Sequence, residues 1–456
     1  MGRAEPVRHV AVIGGGLAGL ATATSLAQHG INVTVLEERG HLGGRAYSFR
    51  DADSGEIVDN GQHAMMGCYR HTLSFLDQIG ASRKITRQPN LLVHMFHPQR
   101  GAGAISCPPL PSPLHVGAGL LGYRVLTWSE RLCALWAGLR ILSLRRRQDP
   151  RLRENTVSQL LAQLRQSPRA CESFWHPVAI ATLNESPERA AAAPFAEVLA
   201  RAFFGSRADS QFVLPAVGLS EMYTDDARRF IEERGGSVVL QAHVADVADG
   251  EGGMSLRLAD GRTITADACV STLPPRVLRR LLAPDLAEQL GLPALDDFET
   301  SPIVSTHLWF DRPVLTHDFA GLIGATTHWV FNRSRPAGAN GSGHLVSTVI
   351  SAAREVVDWE PRRIVERVVD DLRALLPGAG TAHLLRSVVV KERNATVSPT
   401  PRFERQRPAA RTRLANFVLA GDWIATGLPP TIESAVASGH QAADLLLARC
   451  DSPLSF

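Results

Sequence analysis

Apolar and polar positions follow two different periods along this chain, and the switches between them outline its elements. Residues 10–13 form a short unbroken apolar run, 20–29 carry apolar residues at helical spacing, and 33–36 are apolar again. Short apolar runs bounded by turn residues predict buried strands, so the segment reads strand, helix, strand. Further on, Trp128, Leu132, Leu135, Trp136, Leu139 and Leu142 share one helical face, predicting a helix over 128–147. Residues 157–204 read as helical with breaks at Pro168, Pro177, Pro187 and Pro194, and the proline- and glycine-rich stretch 98–122 reads as loop. Strands are predicted at 237–245 and 254–258, with a hairpin turn at 259–262 and a returning strand at 263–266. More follow at 268–272, 304–310, 344–350, 384–390 and 417–420, with helices at 361–376 and 431–448.

The turn between the first strand and helix is Gly14-Gly15-Gly16-Leu17-Ala18-Gly19. Gly14 permits a tight turn, Gly16 lets backbone approach a pyrophosphate, and Gly19 lets the helix lie close on the sheet. The helix N-terminus turns unpaired N–H groups toward the phosphates, and Leu17 and Ala18, in the turn before it, are counted with the cofactor-binding residues. Glu37 ends the second strand about twenty residues on, where a carboxylate can accept hydrogen bonds from an adenosine ribose. The segment predicts a dinucleotide site but does not separate NAD from FAD.

Three later features favour FAD. Glu38-Arg39 leads into Gly43-Gly44-Arg45, where adjacent glycines admit a flat or charged ligand and an arginine can hold phosphate bidentately. Gly421-Asp422 ends a strand and precedes a helix that starts near Thr431, Ile432 and Ala435. The carboxylate there suits a ribityl hydroxyl, and the positive helix end suits an electron-rich ring. Val244, in the strand read over 239–247, is placed to contact adenine through its backbone. The polar cluster Asp59-Asn60-Gly61-Gln62-His63 lies just after the second glycine turn.

Bulk properties alter this picture little. At 456 residues, two or three domains are expected, and 45% apolar with 20% charged content is that of an ordinary folded protein. The net charge of +3 gives no reason to invoke nucleic acid. Six scattered cysteines without a C-x-x-C pair suggest neither a metal site nor a disulfide framework. The first strand begins within about ten residues of Met1, leaving no room for a signal peptide. No uncharged apolar run reaches the roughly 18–20 residues a membrane span needs, so a cytoplasmic location is expected.

The first turn, the Gly43-Gly44-Arg45 loop, residues 267–275 and the Gly421-Asp422 strand together resemble the FAD-dependent amine oxidase and phytoene desaturase superfamily. Asp59 to His63, Gly67-Cys68-Tyr69, Gly421-Asp422-Trp423 and Thr426-Gly427-Leu428-Pro429 further resemble the hydroxysqualene dehydroxylases, or squalene-associated FAD-dependent desaturases. The resemblance implies an α/β fold, with a Rossmann-like, glutathione-reductase-type FAD-binding domain and an interleaved α+β substrate domain. The FAD-binding parts are expected at 1–85, 211–277 and 401–456, and the substrate parts at 86–210 and 278–400. The activity implied is reductive removal of the hydroxyl of hydroxysqualene, giving squalene for hopanoid synthesis.

That chemistry asks for a proton donor beside a dry apolar pocket. His63 is the first candidate, since histidine titrates near neutrality, with Lys391 and Glu392 behind it; Glu433 is expected to shape a helix start instead. Helix 128–147, ending in Arg145-Arg146-Arg147, suits peripheral contact with the inner face of the cytoplasmic membrane. Alternatives are an oxidative carotenoid desaturase, then a flavin amine oxidase, or a non-catalytic FAD-containing isoprenoid-binding protein. One fingerprint leaves no second site for NAD(P)H, so a reductase partner is a candidate electron source.

Overall fold

The computed structural model describes residues 7–53, 55–250, 252–333 and 343–450. Its nucleotide-binding half is a five-stranded, all-parallel sheet. Its order is Ser237–Val239, Asn32–Leu36, His9–Ile13, Ala268–Ser271, Phe417–Leu419, so segments far apart in sequence lie side by side. Parallel strands buried on both faces need helices above and below. Here Leu17–Gln28 and Ile432–Cys450 pack against each other on one face. They approach closely because of Gly439, where an added Cβ would lie 2.4 Å from the Ala18 carbonyl oxygen. An antiparallel meander, Val244–Gly250, Gly253–Leu258 and Thr263–Ala266, joins two of the parallel strands.

The second half is built on a seven-stranded mixed sheet. Its order is Leu384–Val397, Thr300–Phe310, His344–Ile350, Trp329–Asn332, Phe319–Leu322, Leu92–His97, Gly101–Ser106. Helices Leu114–Gly122, Trp128–Arg146, Val157–Gln163, His176–Leu183 and Ala192–Phe204 cover one face of it. Pro361–Leu375 packs with the core on the other.

Several expectations needed correction. The first helix begins at Leu17, with Gly16 at its cap, so Gly19 lies inside the helix. The loop expected over 98–122 contains both the Gly101–Ser106 strand and the Leu114–Gly122 helix. Two of its glycines serve close packing: a Cβ on Gly103 would meet Val125 at 2.6 Å, and one on Gly119 would meet Cys107 at 2.6 Å. The strand expected over 237–245 is two strands in different sheets. Gln241 turns the chain at φ +56° while its N–H and that of Ala242 bond the carbonyls of Arg39 and Glu37. Among the described residues no helix is long and apolar enough to cross a membrane, and five cysteines are free; the Cys450 side chain lies outside the described part.

Candidate active site

A cavity of about 830 Å³ runs from the first glycine turn to the face of the seven-stranded sheet. Its nucleotide end is backbone-lined for a geometric reason. Gly14 adopts φ +106°, Gly43 φ +115° and Gly44 φ +60°, all left-handed values that glycine tolerates. The two turns then touch, since a Cβ on Gly44 would stand 3.1 Å from the Gly16 Cα. A Cβ on Gly16 would meet nothing protein-borne nearer than 3.7 Å, so its space opens into the cavity. Leu17, Ala18, Glu37, Glu38, Arg39 and Val244 line this end as well. The Glu37 carboxylate accepts the N–H of Gly15 at 2.7 Å and of Arg39 at 2.9 Å, which orients it at the rim. Gly19 stands apart from the wall. Its missing Cβ would lie 1.9 Å from the Gly14 carbonyl oxygen, so it shapes the turn without meeting a ligand.

At the opposite end of the nucleotide cradle stand Arg45, Gly421, Asp422, Thr431, Ile432 and Ala435. Arg45 was expected to hold phosphate. Instead its guanidinium grips both Asp422 carboxylate oxygens, at 2.6 and 3.1 Å, and the Ala395 carbonyl at 3.1 Å. Burial works against the Arg45 charge, but Asp422 more than offsets it and the pKa is raised. Behind them Arg407, which the sequence reading missed, donates to the carbonyls of Asp422 and Leu428, both at 2.6 Å. One buried cation thereby fixes the loop that precedes the last helix.

The polar cluster divides sharply by role. Asp59 accepts from Ser48, Leu219 N–H, Gln62 and Arg333. Asn60 is saturated: its carbonyl accepts from Tyr47 N–H, and its amide donates to the Arg45 carbonyl and, at 3.1 Å, to Glu392. Asn60, Gly61, Gln62 and His63 all line the cavity. His63 bonds the Gly61 carbonyl through Nδ1 at 3.0 Å, which leaves Nε2 for a ligand. Burial pushes its pKa below the usual histidine value, against the Gly61 bond and the charges of Asp59 and Glu392.

Lys391 and Glu392 part company. The strand expected to stop at 390 runs to Val397, so both sit mid-strand on opposite faces. Glu392 lines the cavity, whereas Lys391 turns away and donates to the Trp359 carbonyl, which removes it from the candidate acids. Glu433 is also structural. Buried, it accepts the N–H groups of His71 and Thr72, each at 2.9 Å, and so caps the helix Arg70–Gln78.

Beyond His63 the cavity becomes apolar. Ser305 pairs with Val349 and Val349 with Trp329, so Trp329 stands two strand spacings, roughly 10 Å, along the sheet. Ser305 itself lies under the turn, 3.3 Å from where a Gly61 Cβ would be. Phe319 carries ring contacts to Phe212 at 4.8 Å, Phe331 at 5.8 Å and Trp329 at 6.3 Å, and all four line the cavity. This aromatic wall was not singled out from the sequence, although the alternation Trp329-Val330-Phe331 carried a signal for it.

Known proteins match this arrangement. The chain is 27% identical to hydroxysqualene dehydroxylase of Sinorhizobium fredii, over 98% of this chain and 100% of that one. It is 25% identical to 15-cis-phytoene desaturase of Synechococcus elongatus, over 97% and 96%. Cyclohexylamine oxidase of Brevibacterium oxydans shares the fold, with a TM-score of 0.72 at 15% identity over 97% and 99%. The family described as flavin containing amine oxidoreductase matches residues 17–447. The chain therefore belongs to that family, and it is an FAD-dependent oxidoreductase.

Proposed function

We propose that this protein reductively dehydroxylates a C30 allylic alcohol of the hydroxysqualene type, supplying squalene for hopanoid synthesis. The observation that carries the reading is the polarity gradient of the cavity. Past the nucleotide cradle, His63 and Glu392 stand at the head of the remaining space and a wall of four aromatic rings lies beyond them, which suits a long hydrocarbon bearing one polar group. The likeness to hydroxysqualene dehydroxylases over nearly the whole chain supports it.

In this reading the glycine turns and Glu37 would hold the nucleotide part of FAD, and Asp422 with the Ile432–Cys450 helix start would hold its flavin part. Bound there in its reduced form, FAD would supply the hydride equivalent that replaces the hydroxyl. His63 Nε2–H gives its proton to the departing hydroxyl, so that a C–O bond breaks, a C–H bond forms and water leaves. The apolar wall keeps other nucleophiles from the electron-deficient carbon.

The test is to reduce the bound flavin anaerobically and add hydroxysqualene. The flavin should reoxidise and squalene should accumulate in equal amount. A flavin that stays reduced, yet is bleached from its oxidised form by a polyene such as phytoene, would establish the desaturase reading instead.

A further inference from the structure

We propose that the helices Leu114–Gly122 and Trp128–Arg146 form a docking face for an anionic lipid bilayer. The Leu114–Gly122 helix is then the portal by which a hydrocarbon passes from that bilayer into the cavity. The portal rests on the apolar-substrate reading above; the docking face does not.

The surface is built from residues that ought to be inside. Leu110, Leu114, Trp128, Leu132, Trp136 and Leu139 are all exposed, whereas the other exposed large apolar residues among those described are spread along the chain. Trp128 is 66% exposed and Leu114 62%. The predicted stripe of the second helix is split: Leu142 is buried and Leu135 half-buried, while Trp128, Leu132, Trp136 and Leu139 face outward. A core helix would bury that row. Scattered exposed apolar residues are ordinary, but a contiguous cluster marks an interaction site.

The two helices act as one surface. A Cβ on Gly117 would lie 3.9 Å from Leu135, and buried Arg131 donates to the carbonyls of Leu121 at 2.7 Å and Leu126 at 2.9 Å. The short connection is thus pinned. Arg131 also stacks 4.6 Å from the Trp128 ring.

Charge selects the occupant. Arg124, Arg140, Arg146 and Arg147 are exposed around the patch, and Arg145 is tied to Glu197. Glu130, the acid within this helix, is engaged by Thr127 and Ser167. An arginine rim around an apolar centre complements anionic headgroups around acyl chains. A two-fold dimer through the same face would set that rim against itself.

The portal follows from the opposite side of the first helix. Leu114 faces out, while Val116 and Leu120 line the cavity, so one helix separates the docking face from the substrate space. A water-insoluble chain delivered here need never enter water.

The holoprotein should be mixed with vesicles of phosphatidylcholine and phosphatidylglycerol carrying brominated acyl chains. Tryptophan emission should be quenched, and Trp128→Phe with Trp136→Phe should remove most of the quenching. Leu132→Glu with Leu139→Glu should weaken vesicle binding at least about tenfold while flavin content is retained. Absence of quenching overturns the docking face. So does a concentration-dependent dimer that the glutamate pair dissociates, because it assigns the face to a second copy.

For the portal, transfer of squalane, the saturated C30 hydrocarbon, from vesicles into the protein is followed by its co-elution. Val116→Trp should slow loading about tenfold without changing vesicle binding or flavin content. Equal loading in parent and variant overturns the portal. Activity enters neither readout, so failure of the dehydroxylase reading is seen separately, in the flavin reoxidation assay.

Discussion

His63 stands out among its polar neighbours because its Nε2 has no partner among the described residues. Asp59 and Asn60 spend their hydrogen-bonding capacity on neighbouring elements, from Ser48 and Leu219 to Tyr47 and Glu392. His63→Ala should therefore keep FAD while slowing substrate-dependent flavin reoxidation by about 10²–10⁴-fold. Its pKa is depressed, so the charged form that donates is lost as pH rises through a value below the usual 6.5. The single-turnover rate should fall across that range in the parent and lose this limb in the variant. An unchanged profile in His63→Ala would move the role to Glu392. Lys391→Met should leave the rate within about twofold, because that side chain is on the far face of its strand. Gly16→Val is expected to fold, seen by circular dichroism, yet purify colourless, since its Cβ would fill ligand space without striking protein. The sequence placed Lys391 and Glu392 together behind His63, with nothing to choose between the two. Which of two adjacent strand residues faces inward depends on register, and a one-residue change reverses the answer.

At the scale of elements, caps and close approaches decide what holds the site together. Glu433 opens the last helix and caps Arg70–Gln78, so it clamps two helix starts beside the flavin end of the cavity. Glu433→Ala leaves the buried Thr72 N–H and the part-buried His71 N–H without this partner and should cost about 1–3 kcal/mol, read as a lowered melting temperature. Glu433→Gln should recover part of that loss. The helix Pro361–Leu375 was legible because burial on one side imposes the period, whereas Val304 to Phe310, buried on both faces, was legible as a short run bounded by turn residues. Gly101–Ser106 was not. Its glycines look like turn punctuation, and only the packing of Val125 and Tyr123 over Gly103 shows why side chains are missing there.

The molecule as a whole closes its nucleotide site from distant parts: Arg45 and Asp422 meet across 377 positions of sequence. Residues of both parts line one cavity, so FAD bound there would favour the assembled form and its removal should lower stability. Free FAD at a hundredfold excess over its Kd should restore about 2.7 kcal/mol, measured as a concentration-dependent melting temperature. An apoprotein melting like the holoprotein would show that the site is assembled without the ligand's help. The sequence revealed the interleaving through its scattered motifs, but not the order of the seven-stranded sheet, because non-local pairing leaves little local trace. The same topology shapes how the chain is made. The strand His9–Ile13 leaves the ribosome long before Ala268–Ser271, its neighbour in the sheet; Asp267, which binds the His9 N–H, comes 258 residues later. At ordinary elongation speeds that edge stands unpaired for about 13–50 s. An apolar strand waiting that long invites pairing with other nascent chains. Yield in cells thus becomes a matter of chaperone supply and growth temperature as well as of final stability.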